Sequence, residues 1–203
     1  MVPDYWPQAK AHLARRDKVL RKLIRNFPDA DLRSRGDAFQ TLCRSIVGQQ
    51  ISVKAAQSIW ARFAEAAGTV RPAGVVELPV EVMRACGLSG QKTLYLKDLA
   101  THFHTGGVKP RRWARMGDEA IIEDLVRVKG IGRWSVEMFL IFHLHRPDVL
   151  PVDDLGLRRA MERAYNGGEP LGKDDMRALG EPWSPWSSVA TWYLWRSLDP
   201  VSF

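Results

Sequence analysis

Apolar residues recur at three- and four-residue spacing along almost the whole chain, and no convincing two-residue alternation of strand type interrupts them. In "DAFQTLCRSIVGQQIS", Phe39, Leu42, Ile46 and Val47 fall on one side of a predicted helix that Asp37 is placed to cap. "SVKAAQSIWARFAEAAG" carries the pattern on through Val53, Ala56, Ile59, Trp60 and Phe63, and stops at Gly68, where a left-handed residue can end a helix. "RRDKVLRKLIR" (Arg15–Arg25) sets bases between Val19, Leu20, Leu23 and Ile24, which predicts an amphipathic helix with a basic outer face. Further helices are predicted in "PVEVMRACG", "GQKTLYLKDLATHFHTGG" and "DEAIIEDLVRV"; the last has acids in its first turn, which suits the helix dipole. "LPVDDLGLRRAMERAY" and "SSVATWYLWRSL" supply two more. The sum is about nine or ten short helices joined by tight turns, an all-α protein. Low-complexity segments, long linkers and tandem repeats are not evident.

Composition narrows the class. A chain of 203 residues, 45% apolar and 26% charged, buries a core without staples. It has no apolar run of the roughly 18 residues a membrane helix needs. "MVPDYWPQAKAHLARRDKVL" lacks the apolar centre of a signal peptide, so a cytoplasmic protein is expected, nucleoid-associated in a bacterium or nuclear in a eukaryote. Cys43 and Cys86 are the two cysteines, too few for a four-cysteine iron–sulfur cluster or structural zinc site, and are expected to be reduced and buried. The net charge of +7 favours a polyanion as partner. For the basic face of Arg15–Arg25, solvation alone and proximity to DNA both remain open.

The stretch "VKGIGRWSVE" (Val128–Glu137) lies between two predicted helices. Gly130 and Gly132 allow backbone conformations that other residues resist, and remove side chains where something must approach closely. The turn's amides then sit at a helix N-terminus, which binds anions, and Lys129 and Arg133 add positive charge. A nucleic-acid phosphate fits this helix–hairpin–helix pattern; taken alone, an ordinary helical hairpin fits it too. Downstream, "HRPD" turns, "VLPV" is extended, and Asp153 and Asp154 open the next helix, where a carboxylate is favoured as the anion. One of the two acids is accounted for as an N-cap; the other is left for a different role.

Hairpin, helix, "LPVDD" and helix together resemble the helix–hairpin–helix DNA glycosylase superfamily. The resemblance runs from about Phe39 to Trp195, with "SIVGQQISVKAA" similar to the family's first segment and "WSPWSSVATWYLW" to its closing aromatic one. The chain is most similar to the 3-methyladenine DNA glycosylase II group, which acts on alkylated bases. The resemblance implies a two-lobed helical bundle with the active site in the inter-lobe cleft. One lobe is expected at about 38–150 and the other from about 1–37 and 151–203, with no N-terminal β domain. Asp154, twenty residues beyond Trp134, matches the catalytic aspartate, and Asp153 the residue before it. Relatives that also nick the strand carry a lysine at the position of Trp134, so a monofunctional enzyme that leaves an abasic site is implied.

Other roles follow from the same likeness. Trp134 and Trp195 match aromatic positions of the base pocket, and Met138 stands where the family often has another aromatic. Trp60, Trp183, Trp186 and Trp192 are expected to pack. Gln50 occupies the position of the wedge that fills the emptied stack, preceded by Gln49; helix-end capping is the second reading of both. Backbone phosphate contacts are assigned to Lys129, Gly130, Ile131, Gly132 and Arg133, and at "GLSGQK" to Gly90 and Lys92. Carbonyls of Val126, Val128 and Ile131 are candidates for a monovalent cation; neither a catalytic metal nor a cofactor is called for. The expected partner is double-stranded DNA holding damaged bases, met by a monomer with no membrane association. Two other readings stay open: a same-fold glycosylase for an oxidised or mismatched base, and a DNA-backbone-binding module without catalysis.

Overall fold

The chain folds as α1 (Trp6–Arg16), α2 (Lys18–Asn26), α3 (Ala38–Gly48), α4 (Val53–Ala67), α5 (Pro72–Glu77), α6 (Val80–Ala85) and α7 (Gly90–His104), followed by α8 (Pro110–Trp113), α9 (Asp118–Leu125), α10 (Arg133–Phe142), α11 (Leu155–Tyr165), α12 (Lys173–Gly180), a 3₁₀ turn (Glu181–Trp183) and α13 (Ser187–Leu198). This computed structural model describes residues 3–28, 32 and 37–198; 1–2, 29–31, 33–36 and 199–203, all inside the range expected for the second lobe, lie outside them. Among the described residues there is no strand, and no helix is long and apolar enough to cross a membrane.

The helices outnumber the nine or ten expected for identifiable reasons. α5 and α8 each begin at a proline and span only six and four residues, too few to repeat an apolar period. Arg15–Arg25 is two helices rather than one. Asp17 leaves helical geometry (φ −134°, ψ 120°) and accepts the amides of Val19 and Leu20 at 2.8 and 2.9 Å, so it ends α1 and caps α2. The caps read from the sequence are present: the Asp37 carboxylate accepts the Gln40 amide at 2.8 Å, and Gly68 ends α4 at φ 62°.

Two compact units divide the chain. Arg35–Phe139 forms one, and Met1–Ser34 with Leu140–Phe203 the other. In the first, α7 packs against α3, α5 and α6. Ile46, Phe63, Leu96, Leu99 and Leu125 are fully buried there, and Phe39, Phe103, Trp113 and Phe139 follow one another ring to ring at 5.2, 6.4 and 5.3 Å. In the second unit α13 packs on α1, α2 and α11. Asp17 also accepts the Tyr165 hydroxyl at 2.7 Å and the Trp183 indole at 2.9 Å, which ties α2 to α11 and the 3₁₀ turn. The extended segment before Asp154 is pinned to the start of α13. Asp148 accepts from Ser184 and Ser187, Pro147 from the Ser188 amide, and the Ser188 hydroxyl from the Val149 amide. That pinning fixes where α11, and with it Asp154, begins.

Candidate functional site

The two hairpin glycines do different work. Gly130 has φ 81°, and a Cβ there would lie 2.1 Å from Cδ2 of Tyr95, whose ring rises from α7 against the turn. Only glycine fits. Gly132 is not left-handed, and nothing lies within 4 Å of where its Cβ would stand. Its carbonyl accepts the Val136 amide at 3.2 Å as the first bond of α10. The absent side chain at Gly132 therefore leaves the start of α10 bare on its outer side, where helix amides have no partner within the helix. Val128 and Ile131 are buried and pin the turn, and the Val128 carbonyl accepts the Ile131 amide at 3.1 Å.

The flanking bases split likewise. The Lys129 amide donates to Asp98 at 2.8 Å while its side chain is exposed. Arg133, expected to meet phosphate, is instead held by acids: its guanidinium donates to both carboxylate oxygens of Glu119, and Nε to Glu137 at 3.1 Å. The pairing raises the Arg133 pKa and lowers that of Glu119. The sequence hides this because Glu119 comes from the other side of the hairpin.

The loop after α3 lies against this hairpin. Gln49 donates from Nε2 to the Gly130 carbonyl at 2.8 Å. Gln50 is exposed and left-handed at φ 57°, a conformation that costs a non-glycine residue about 1 kcal/mol and collects at functional positions. Lys92, expected at a phosphate, turns inward. Its ammonium donates to the carbonyls of Val47 and Gln49 at 2.8 and 2.7 Å, and so closes the C-terminus of α3. Burial lowers its pKa. Gly90 begins α7 beside Ser89, whose hydroxyl accepts the Lys92 amide at 3.2 Å.

In the other unit, Asp154 is itself the N-cap of α11. Its Oδ1 accepts the Leu157 amide at 2.6 Å and the Trp195 indole N–H at 2.7 Å. The expected division, one acid capping and the other at work, is not what the structure has. Asp153 is exposed and forms an ion pair with Lys173. Gly156, which the sequence did not single out, makes room for this arrangement: a Cβ there would stand 3.1 Å from Asp154 Oδ1 and 3.3 Å from Trp195 Cδ1. Beside Asp154 lies a depression of about 220 Å³, lined by Val152, Asp153, Leu155, Arg158 and Lys173 among others.

Trp195 also stacks on Phe142, with centroids 5.5 Å apart and planes 14° from parallel. Phe142 is a further aromatic that sequence reading missed. The signal was present, since Trp134, Met138 and Phe142 follow at four-residue spacing on one side of α10. Trp134 is 44% exposed, whereas Trp60 and Trp183 are buried. Trp186 stacks on Tyr5 and Trp192 meets Trp6 edge-on, so these four tryptophans pack as expected.

A bare helix start behind a two-glycine hairpin, and a fixed carboxylate twenty residues further on, invite comparison with known repair proteins. Residues 43–185 match the family described as HhH-GPD superfamily base excision DNA repair protein. The chain belongs to this superfamily. Within it, the chain is 34% identical to the DNA-3-methyladenine glycosylase 1 of Schizosaccharomyces pombe, over 94% of this chain and 86% of that protein. Among solved structures, a DNA-3-methyladenine glycosidase of Bacillus halodurans matches with a TM-score of 0.85 at 33% identity, covering 98% of this chain and 92% of that one. The S. pombe 3-methyladenine DNA glycosylase in complex with abasic-DNA matches with a TM-score of 0.81 at 31% identity, covering 97% and 100%.

Proposed function

We propose that the protein is a base-excision DNA glycosylase that hydrolyses the N-glycosidic bond of alkylated bases of the 3-methyladenine and 7-methylguanine type, and leaves the abasic strand uncut. The observation that carries this reading is Asp154, held at the start of α11 by the Leu157 amide and the Trp195 indole. A base alkylated at a ring nitrogen already carries positive charge and leaves without strong acid help. As the bond breaks, positive charge moves to the sugar, and the Asp154 carboxylate stabilises it and orients the attacking water. The target nucleotide must first leave the duplex. Trp134, 44% exposed, offers its indole face to the cationic base, a contact worth about 0.5–2 kcal/mol, and Met138 and Trp195 are further candidates for base contact. Gln50 takes the vacated place in the stack. The amides at the start of α10, with the Lys129 side chain, hold phosphate, Gly90 adds a second backbone contact, and the hairpin carbonyls of Val126, Val128 and Ile131 are offered to a monovalent cation. Position 134 carries an indole, which cannot form a Schiff base with the sugar, and this supports hydrolysis by water.

The test is release of bases from broadly methylated duplex DNA, each product identified chromatographically. Release of 3-methyladenine and 7-methylguanine is expected. Duplex binding without release of any base would reduce the protein to a backbone clamp.

A further inference from the structure

Lys92, Tyr95 and Asp98 stand at three-residue steps along one side of α7. Each touches one of the two elements that meet DNA in the proposed function. Lys92 holds the carbonyls of Val47 and Gln49, immediately before Gln50. The Tyr95 ring fills the space under Gly130, and its hydroxyl accepts from the Gln91 side-chain Nε2 at 2.6 Å. Asp98 takes the Lys129 amide at 2.8 Å. The Gln49 side chain closes the circuit onto the Gly130 carbonyl. Hairpin and loop are thus both referred to one rigid helix and also to each other.

We infer that Lys92 is a positioning residue for base flipping, which keeps the loop bearing Gln50 in register with the phosphate-binding hairpin. The inference rests on the wedge role proposed for Gln50. A residue that enters a base stack must withstand the restacking of the displaced base, an exchange of a few kcal/mol. Gln50 has a left-handed backbone, and the last carbonyls of α3 beside it carry the helix's partial negative charge. An ammonium donating to two of those carbonyls resists displacement of the loop where a neutral side chain of similar length does not.

The test compares the wild-type protein with Lys92→Gln, Lys92→Arg and Gln50→Ala, on duplexes carrying 2-aminopurine beside the lesion. Lys92→Gln should leave the Kd for undamaged duplex within about twofold, because the hairpin is untouched. It should lower both the 2-aminopurine signal and the single-turnover excision rate by about tenfold, the scale of one charge-assisted hydrogen bond. Lys92→Arg should restore most of both. A weakened Kd with an unchanged excision rate would make Lys92 a phosphate contact and overturn the inference. So would an unchanged signal in Lys92→Gln when Gln50→Ala lowers it. If Gln50→Ala itself leaves the signal unchanged, the wedge reading fails and the inference falls with it. Should Lys92→Gln not fold, Gln49→Met removes only the tie to Gly130 and must lower the signal for the inference to stand.

Discussion

At Asp154 a single carboxylate oxygen caps α11 and accepts the Trp195 indole, so chemistry and folding separate only in a variant that keeps the cap. Asparagine caps about as well as aspartate. Asp154→Asn should therefore melt within a few degrees of wild type and bind duplex normally, yet lose at least about 100-fold in single-turnover base release, as removal of transition-state charge stabilisation does. Asp154→Ala should lose, in addition, about 1 kcal/mol of stability. Asp153→Asn removes an exposed ion pair with Lys173, worth under about 1 kcal/mol, and should change neither property. An active Asp154→Asn beside a dead Asp153→Asn would exchange the two assignments. Trp195→Phe tests the orienting bond by itself. The ring stack on Phe142 survives while the donor to Asp154 is removed, and release should slow about tenfold with little change in Kd. That an acid opens α11 was legible, because two aspartates stand directly before the helical pattern. Its double duty was not, since chain spacing does not say which oxygen meets Leu157, nor that an indole 41 residues away donates to it. Arg133 eluded the sequence for the same reason: its partner Glu119 lies across the hairpin, and only the fold brings the two together.

Among the elements, the hairpin was legible as a motif, and its two glycines give opposite predictions. Gly130→Ala drives a methyl into the Tyr95 ring at a left-handed position, and should cost about 2 kcal/mol or more of stability, seen as a lowered denaturant midpoint. Gly132→Val meets open space, so the protein should melt normally. The added side chain instead covers the bare start of α10 and should weaken binding to every duplex alike, because phosphate contacts carry no sequence information. Titrations at several salt concentrations should show the loss at every salt, with the log–log slope shallower by about 0.9 only if the Lys129 charge is displaced from its phosphate as well. A defect at one sequence, with general affinity intact, would contradict a backbone clamp. Helices with strong caps were equally legible, as at Asp37 and Gly68. α5 and α8 were not, being short helices of six and four residues that each begin at a proline. The break at Asp17 falls inside a run that reads as one helix; one carboxylate oxygen caps α2, and the other takes Tyr165 and Trp183 from elsewhere in the chain.

For the molecule as a whole, alkaline pH probes the unit built from both ends of the chain. Burial pushes Tyr5 and Tyr193 up to about 12, and burial with the Asp17 hydrogen bond raises Tyr165 further. Each phenol keeps its proton longer folded than unfolded, where it ionises near about 10. The stability they contribute is full below about pH 10 and falls as pH rises beyond it, so denaturant midpoints should decline there; a flat profile would mean these phenols are solvated. The last expectation concerns the reaction's end point. An amine must reach the sugar to form a Schiff base, and in the proposed function position 134 meets the sugar with an indole instead of an amine. End-labelled damaged duplex treated with the protein should therefore break only after hot alkali, and borohydride should trap no covalent complex. Trp134→Ala should lower excision of cationic bases, since a stacking surface is removed, without creating strand cleavage. The sharpest challenge comes from Lys173, whose ammonium lines the depression beside Asp154 and pairs with Asp153. If breaks appear without alkali and a trapped species forms, Lys173→Ala decides the matter. Abolished trapping in that variant would make Lys173 the nucleophile, and hydrolysis by water at the Asp154 site would have to be given up.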